Sequence, residues 1–229
     1  AAIWPSVLMF FIVITLSRGV ALLVGLFIFV RRLRPHVVLK TLSARRAFGR
    51  AFPYGLNAIG TYLYLRVDIL LLGAISGSLA SGVYGSVADP LVSLTSMVYI
   101  VTYAFLPSLS ESFDRDSIHF RSLVQRMVAL NLTFGTILAA VVFLGSGRFV
   151  SLAFGPELAP AAGVLRVLSA AILLRFLNSA LATWLTATGR QWFRTRATLC
   201  AALLNVLVTL AAIPLWGYWA AAVTTVATE

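Results

Sequence analysis

Five ionisable residues lie well inside stretches of the 229-residue sequence that are otherwise mainly apolar and long enough to cross a membrane. They are Arg18, Arg66, Asp68, Asp89 and Arg175. A charge inside the hydrocarbon core costs about 2.5–3.5 kcal/mol on insertion scales, so such residues normally face a protein interior or a wet cavity. A guanidinium there can bind phosphate through two parallel hydrogen bonds, whereas a carboxylate can bind a proton or a cation. These residue types therefore predict a site for charged ligands at membrane depth.

Helix geometry gives each of the five charges an approximate depth. At a rise of about 1.5 Å per residue, Arg18, Arg66 and Arg175 lie about 15–20 Å from the outer edge of the membrane, near its centre. Asp68 and Asp89 lie shallower, at about 9–12 Å, on consecutive antiparallel spans. One shared aqueous cavity would accommodate all five charges. For Arg66 and Asp89, a clamp that only joins two helices is an equally good interpretation.

Two asparagines complete the predicted substrate cavity. Asn178 follows Arg175 by three residues and so shares its helix face, and Arg175 has no acid on its own span. Arg175 is therefore the first candidate for contact with an anionic substrate. Asn57 belongs to a polar stripe at steps of three or four residues, formed by Tyr54, Asn57, Thr61, Tyr64 and Asp68. The predicted cavity residues are Arg18, Arg66, Arg175, Asn57 and Asn178, and the predicted ion-coupling or charge-pair residues are Asp68 and Asp89.

The elements that carry these residues are expected to be transmembrane helices. The chain is 60% hydrophobic and only 11% charged, and its mean hydropathy is +0.96, whereas a soluble domain must present more polar surface. Apolar runs of about 20 residues predict an all-α bundle with six full spans and an unfinished seventh. The predicted full spans are 5–30, 52–77, 83–107, 123–144, 164–186 and 197–215, and the main connections after the second span are 76–82, 108–121, 145–163 and 189–196. Pro90 is expected to kink or open the third span.

A basic segment, residues 31–51, separates the first span from the others. Its seven cations are Arg31, Arg32, Arg34, Lys40, Arg45, Arg46 and Arg50. The loops on this side of the predicted membrane are basic and those opposite hold only Arg148, so the positive-inside rule makes the basic loops cytoplasmic. The apolar residues among the cations suit a short interfacial helix on anionic lipid. We expect residues 1–30 to be the last span of an N-terminal bundle, 31–51 an inter-bundle loop and 52–229 a truncated C-terminal bundle.

Two other classes of protein fit the sequence poorly. The net charge of +11 would suit a nucleic-acid-binding protein if the cations formed one face of a soluble fold. Here the cations lie in short segments between apolar runs, so no nucleic-acid partner is expected. The sequence contains no catalytic, metal-binding or cofactor-binding motif, and His36 and His119 lie far apart in loops. The chain is therefore not expected to be an enzyme or to hold a metal or cofactor.

Two groups of motifs resemble the polysaccharide-exporter branch of the MATE-like flippase superfamily, the Wzx-type flippases of lipid-linked oligosaccharides. The first group is R-x-D, G-x-Y and L-P-x-x-S, formed by Arg66, Asp68, Gly82, Tyr84, Leu106, Pro107 and Ser110. The second is A-x-G-R, a helix Asn and I-P-x-x-G, formed by Ala187, Gly189, Arg190, Asn205, Ile213, Pro214 and Gly217. The resemblance covers most of the chain. Ala220 departs from it, because the family usually has a second Gly there.

The resemblance implies a function. Two pseudo-symmetric bundles would move an undecaprenyl-pyrophosphate-linked oligosaccharide, such as an O-antigen, capsule or exopolysaccharide unit, across the bacterial cytoplasmic membrane by alternating access. The implied partners are the lipid-linked sugar, membrane lipid, H⁺ or Na⁺ as a coupling ion, and an N-terminal bundle expected in a missing part of the same chain. A MATE-like antiporter of cations or drugs is an alternative, which the excess of three midplane arginines over two aspartates disfavours. A membrane-embedded polysaccharide polymerase is a second alternative, which would need a large outer loop outside this sequence.

Overall fold

The computed structural model describes residues 3–33 and 44–229, and the regular structure in these ranges is helical. The helices are α1 (Ile3–Leu33), α2 (Ala44–Ile75), α3 (Gly77–Thr95), α4 (Val98–Ser112), α5 (Ser117–Phe154), α6 (Pro160–Ala187), α7 (Gln191–Trp216) and α8 (Tyr218–Thr228), with a 3₁₀ turn at Pro156–Leu158. Within the described ranges, 6 helical segments are long and apolar enough to cross a membrane. The prediction of an all-α, multi-pass membrane protein is confirmed.

The chain divides into two compact units, Ala1–Phe48 and Gly49–Glu229. The first unit contains α1, which carries Arg18 near its middle. Residues 34–43, the middle of the basic segment where an interfacial helix is expected, lie outside the described residues. Helix α2 begins at Ala44, so the end of that basic segment is already helical.

Helix α6 is the centre of the second unit, because it contacts α3, α4, α5, α7 and α8. Its apolar residues occupy most of its circumference, which is typical of a helix surrounded by others, and Val164, Leu168 and Ile172 are buried. Helix α5 approaches α6 closely at Gly135, where an added Cβ would lie 2.9 Å from the Cβ of Phe176. Small residues of this kind let membrane helices pack with their backbones close together.

The polar stripe predicted on α2 faces α7 and α8 over most of its length. Oδ1 of Asn57 accepts a hydrogen bond of 3.0 Å from Thr198 on α7. Further along α2, Oδ2 of Asp68 accepts one of 2.7 Å from Thr225 on α8. Tyr54, at the start of the stripe, is exposed. The stripe therefore positions polar groups of α2 between these helices.

The third membrane segment is interrupted beyond Pro90, the residue at which the sequence predicts a kink or an opening. Helix α3 continues through Pro90 to Thr95, and the interruption lies at Ser96 and Met97. The hydroxyl of Thr95 donates to O of Leu91 at 2.9 Å, and that of Ser96 donates to O of Ser93 at 2.6 Å. Such side-chain bonds compete with the helical backbone pattern, and two of them coincide at this interruption.

The connections in the second unit are shorter than the sequence predicts. Most of the predicted turn 76–82 belongs to α3, which begins at Gly77 after Ser76 alone. The predicted connection 145–163 is reduced to 155–159, because α5 extends to Phe154 and α6 begins at Pro160. Similarly, α7 begins at Gln191, so most of the predicted loop 189–196 is the first turn of a helix. Gly and Pro in these segments terminate helices without creating long loops.

Candidate functional site

A cavity of about 410 Å³ lies within the second unit, among α2, α3, α4, α6, α7 and α8. Its charged lining residues are Arg175, Arg194 and Glu229. Its aromatic lining residues are Tyr64, Tyr99, Tyr103 and Phe193. The volume falls in the range of about 300–1,000 Å³ that is usual for ligand sites. Because the surrounding helices other than α8 are candidate membrane spans, we expect the cavity to gather charged groups at membrane depth.

Arg175 lies at the wall of this cavity, and its charge is paired. Its Nε donates to Oε1 of Glu229 at 2.6 Å, and its Nη1 donates to Oγ1 of Thr95 at 3.2 Å. The side chain of Arg175 is 14% exposed and that of Glu229 is 2% exposed. Helix α6 contains no acid, but Arg175 is still paired, because Glu229 after α8 supplies the carboxylate.

The two asparagines predicted for the cavity occupy different places. Asn178 is exposed and lines the cavity beside Arg175. Asn57 is buried and lies behind the wall, where its Oδ1 accepts a hydrogen bond from Thr198, a lining residue. Asn178 can therefore contact a ligand directly, whereas Asn57 fixes the position of a residue that does.

Asp68 is buried and surrounded by hydroxyl groups. Its Oδ2 accepts hydrogen bonds from Thr225 at 2.7 Å and from Tyr84 at 3.3 Å, and its Oδ1 accepts one from Thr209 at 3.3 Å. Among the side chains of residues 51–229, no basic group forms an ion pair with it. A buried carboxylate held by neutral hydrogen-bond donors is a group that can exchange a proton or bind a small cation.

A second, small cavity of about 20 Å³ separates Asp68 from Arg175 and is lined by both residues. This volume is enough for about one water molecule, since a water needs roughly 10–15 Å³ of such space. Tyr64 and Arg175 line the small cavity and the large one. Tyr64 and Arg175 therefore lie between the large cavity and the hydroxyl-lined site of Asp68.

Arg66 and Asp89 form an ion pair that joins α2 to α3. Their side chains are 49% and 52% exposed, and neither is among the residues that line the large cavity. Arg66 is two positions from Asp68 and so projects about 200° away from it around α2. The contact is compatible with the clamp between two helices, which is one of the two interpretations of the sequence.

The second unit therefore separates the charges that the sequence places in one cavity. Arg175 lines the large cavity, Asp68 lies behind it, and Arg66 with Asp89 forms a pair elsewhere on the bundle. Arg18 lies in the first unit. One cavity shared by all five charges stays a prediction, because Arg66 and Asp89 pair with each other and do not line this cavity.

Two lining residues are missed by the sequence reasoning. Arg194 is taken there only as a loop cation, yet it lies in the first turn of α7 and lines the cavity. A polar stripe at steps of four and seven residues could have placed it, because Arg194, Thr198, Asn205 and Thr209 share one face of α7. Glu229 has a weaker signal, its position four residues after Thr225 on α8.

Comparison of the chain with protein-family models, with curated proteins and with solved structures found no match.

Proposed function

We propose that the chain is part of a flippase that moves an undecaprenyl-pyrophosphate-linked oligosaccharide from the cytoplasmic to the outer leaflet of the bacterial cytoplasmic membrane. The observation that carries this proposal is the cavity of about 410 Å³ between membrane helices, with Arg175 and Arg194 on its wall. A polar head group needs such a path, because moving it through hydrocarbon unaccompanied exposes its charges to a medium that cannot solvate them. The motifs that resemble the Wzx-type flippases support the same substrate class.

The lining chemistry suits both parts of the head group. Guanidinium groups hydrogen-bond phosphate oxygens with two parallel donors, and Arg175 and Arg194 both line the cavity. Tyr99 and Tyr103 stack on each other with ring centroids 5.5 Å apart. Stacked tyrosines present apolar ring faces together with hydroxyl groups, a combination that fits sugar rings and their hydroxyls.

The interruption between α3 and α4 offers a place where the cavity can change shape. Thr95 precedes this interruption and accepts a hydrogen bond from Arg175. A ligand that draws the guanidinium away from Glu229 would also alter its contact with Thr95. Alternating access requires such a link between ligand binding and helix position, and Arg175 supplies one.

An antiporter of cations or drugs is a second candidate that a specific observation favours. The sequence counts three midplane arginines against two aspartates, but Glu229 makes the number of acids equal to that of the arginines. Asp68, held by three hydroxyls without a basic partner in the described residues, is also a suitable site for H⁺ or Na⁺. In the flippase this site would couple transport to the ion gradient. In the antiporter it would compete directly with a cationic substrate.

Transport by the purified full-length protein in liposomes separates the two candidates. The flippase predicts movement of a fluorescent undecaprenyl-pyrophosphate-linked sugar between leaflets, with no ion-driven uptake of organic cations. Liposomes without protein and liposomes with an unrelated multi-pass protein are the controls. Uptake of an organic cation against a Na⁺ or H⁺ gradient, without movement of the lipid-linked sugar, would establish the antiporter instead.

A further inference from the structure

We infer that Arg194 is the residue that first binds the pyrophosphate of the lipid-linked sugar, at the cytoplasmic end of the cavity and before the head group reaches Arg175. This assignment rests on the proposed function and adds a binding residue that the motifs do not contain. It follows from the pairing of Arg194, its depth and its neighbours.

Arg194 differs from Arg175 and Arg66 in the kind of partner it has. Arg175 pairs with Glu229, and Arg66 pairs with Asp89. Arg194 Nη1 donates to the neutral hydroxyl of Thr186 at 2.9 Å, and no acid in residues 44–229 forms an ion pair with it. Its charge is therefore not compensated, and it carries the free guanidinium on the wall of the cavity.

The contact with Thr186 holds the guanidinium in place without occupying it. The hydroxyl of Thr186 is also 3.1 Å from Oε1 of Gln191, and Gln191 is buried at the start of α7. An arginine has five N–H donors in a rigid planar arrangement, and the bond to Thr186 uses one of them. The remaining donors can bind two phosphate oxygens in parallel.

Helix positions place Arg194 nearer the cytoplasmic end than Arg175. Arg194 is three residues from the first residue of α7, and Arg175 is twelve residues from the last residue of α6. These two helix ends are joined by residues 188–190, so they lie on the same side of the membrane. At about 1.5 Å per residue the two arginines differ in depth by about 13 Å. The proposed topology makes this side cytoplasmic, where the lipid-linked sugar is loaded.

The neighbours of Arg194 fit the rest of an amphipathic ligand. Phe193 precedes it, is exposed and lines the same cavity. Tyr103, also exposed, lines the cavity and belongs to the stacked tyrosine pair. A head group held at Arg194 would therefore have aromatic surface beside it for either its sugar or the first units of its lipid.

Binding of undecaprenyl pyrophosphate to the purified full-length protein in detergent tests this assignment, with uncharged undecaprenol as the reference ligand. Arg194→Ala should weaken binding at least about tenfold, the loss expected when a hydrogen bond to a charged group is removed. Arg194→Lys keeps the charge without the planar donors and should fall between the wild type and Arg194→Ala. Arg196→Ala is the matched control, because Arg196 is exposed two residues further along α7 and does not line the cavity. It should bind like the wild type, and melting temperatures confirm that each variant is folded.

The outcomes distinguish a failure of this assignment from a failure of the proposed function. If a folded Arg194→Ala protein binds undecaprenyl pyrophosphate as tightly as the wild type does, the assignment is overturned, but the proposed flippase function is not. Phosphatidylglycerol serves as a competitor for the wild-type protein. If it displaces the bound ligand as effectively as undecaprenyl pyrophosphate does, Arg194 is a site for phospholipid head groups and its substrate role is overturned. A wild-type protein that binds undecaprenyl pyrophosphate no better than undecaprenol would contradict the proposed function, and the role of Arg194 with it.

Discussion

Nε of Arg175 lies 2.6 Å from Oε1 of Glu229, and this contact joins the middle of α6 to the end of α8 inside the cavity. Both side chains are largely withdrawn from solvent. Burial of either charge alone would be strongly unfavourable, so each side chain compensates the buried charge of the other. The carboxylate also takes up N–H donors of the guanidinium that a phosphate could use, because carboxylates and phosphates both offer oxygen acceptors. An anionic ligand must therefore compete with Glu229 for Arg175.

Glu229→Gln should strengthen the binding of undecaprenyl pyrophosphate. The substitution keeps the shape of the side chain but removes the charge that competes with the ligand, and we expect an affinity gain of about tenfold, the effect of losing one charged hydrogen-bond partner. The melting temperature should fall, because Arg175 is left without a charged partner.

Glu157→Gln is the control for this prediction, because Glu157 is an exposed acid in the 3₁₀ turn. Its affinity for undecaprenyl pyrophosphate and its melting temperature should both match those of the wild type. Weaker binding by Glu229→Gln would show that the carboxylate positions Arg175 for the ligand and does not compete with it.

Arg66→Ala should lower stability and leave transport intact. The pair with Asp89 is about half exposed, so its removal is expected to cost about 1 kcal/mol or less where water reaches it. Neutralising Asp89 in the same protein should recover the lost stability, because the aspartate is then no longer left without its partner. Thermal unfolding of the two single variants and the double variant measures this coupling. Loss of transport in a stable double variant would show that the pair takes part in transport after all.

Asp68→Asn should preserve the fold and change the dependence of transport on Na⁺ or on pH. The amide oxygen can still accept a hydrogen bond from Thr209 or from Thr225, and the amide NH₂ can donate to the other hydroxyl. The amide cannot bind a proton or a cation as a carboxylate does. Tyr84 contacts Asp68 directly, and Tyr64 and Arg175 face it across the small cavity. These three side chains are the charged or titratable groups on neighbouring helices that can influence the ionisation of Asp68.

Transport rates across a series of pH values and Na⁺ concentrations test the prediction for Asp68. Asp89→Asn is the comparison. The sequence predicts that both aspartates affect ion dependence, but the ion pair with Arg66 now leads us to expect an effect from Asp68 alone. An Asp68→Asn protein with full activity and an unchanged ion dependence would remove this residue from the coupling mechanism.

The topology can be tested by labelling single cysteines in intact cells. Cys200 is exposed, so the background protein should carry Cys200→Ser. A cysteine at Ser78, an exposed residue at the start of α3, should react with an impermeant reagent, whereas a cysteine at Ala44 should not. The cation distribution between the loops is the reason for this expectation, and the reverse labelling pattern would invert the orientation of the bundle.

The membrane segments and the polar stripe of α2 are predictable because both depend on the order of residues along one helix. Apolar runs reveal spans, and steps of three or four residues place Asn57 and Asp68 on one face. The pairing of Arg175 with Glu229 depends on how α8 packs against α6, two helices 54 residues apart at this contact. Periodicity within one helix does not tell which residues of two different helices come into contact. The carboxylate that pairs with Arg175 could therefore not be predicted from the sequence.

Local backbone chemistry accounts for the other differences from the prediction. Pro90 is a strong signal for a kink, yet the interruption lies at Ser96 and Met97. The hydroxyls of Thr95 and Ser96 bond there to backbone carbonyls of the preceding turn. Arg194 is assigned to a loop because Gly189 marks the end of α6, whereas α7 resumes after a single further residue. A loop length of only a few residues therefore decides whether that arginine belongs to the membrane surface or to the cavity.

The measurement that tests the central claim most directly is the movement of a lipid-linked oligosaccharide by Arg175 variants of the full-length protein in liposomes. If the cavity carries the pyrophosphate past Arg175, transport should decrease in the order wild type, Arg175→Lys, Arg175→Ala, because lysine keeps the charge and loses the planar pair of donors. Expression, membrane insertion and melting temperature must be measured for each variant, and the double variant Arg175→Ala with Glu229→Ala avoids leaving an unpaired buried acid. Wild-type transport by a stable Arg175→Ala protein, or by the stable double variant, would contradict the claim.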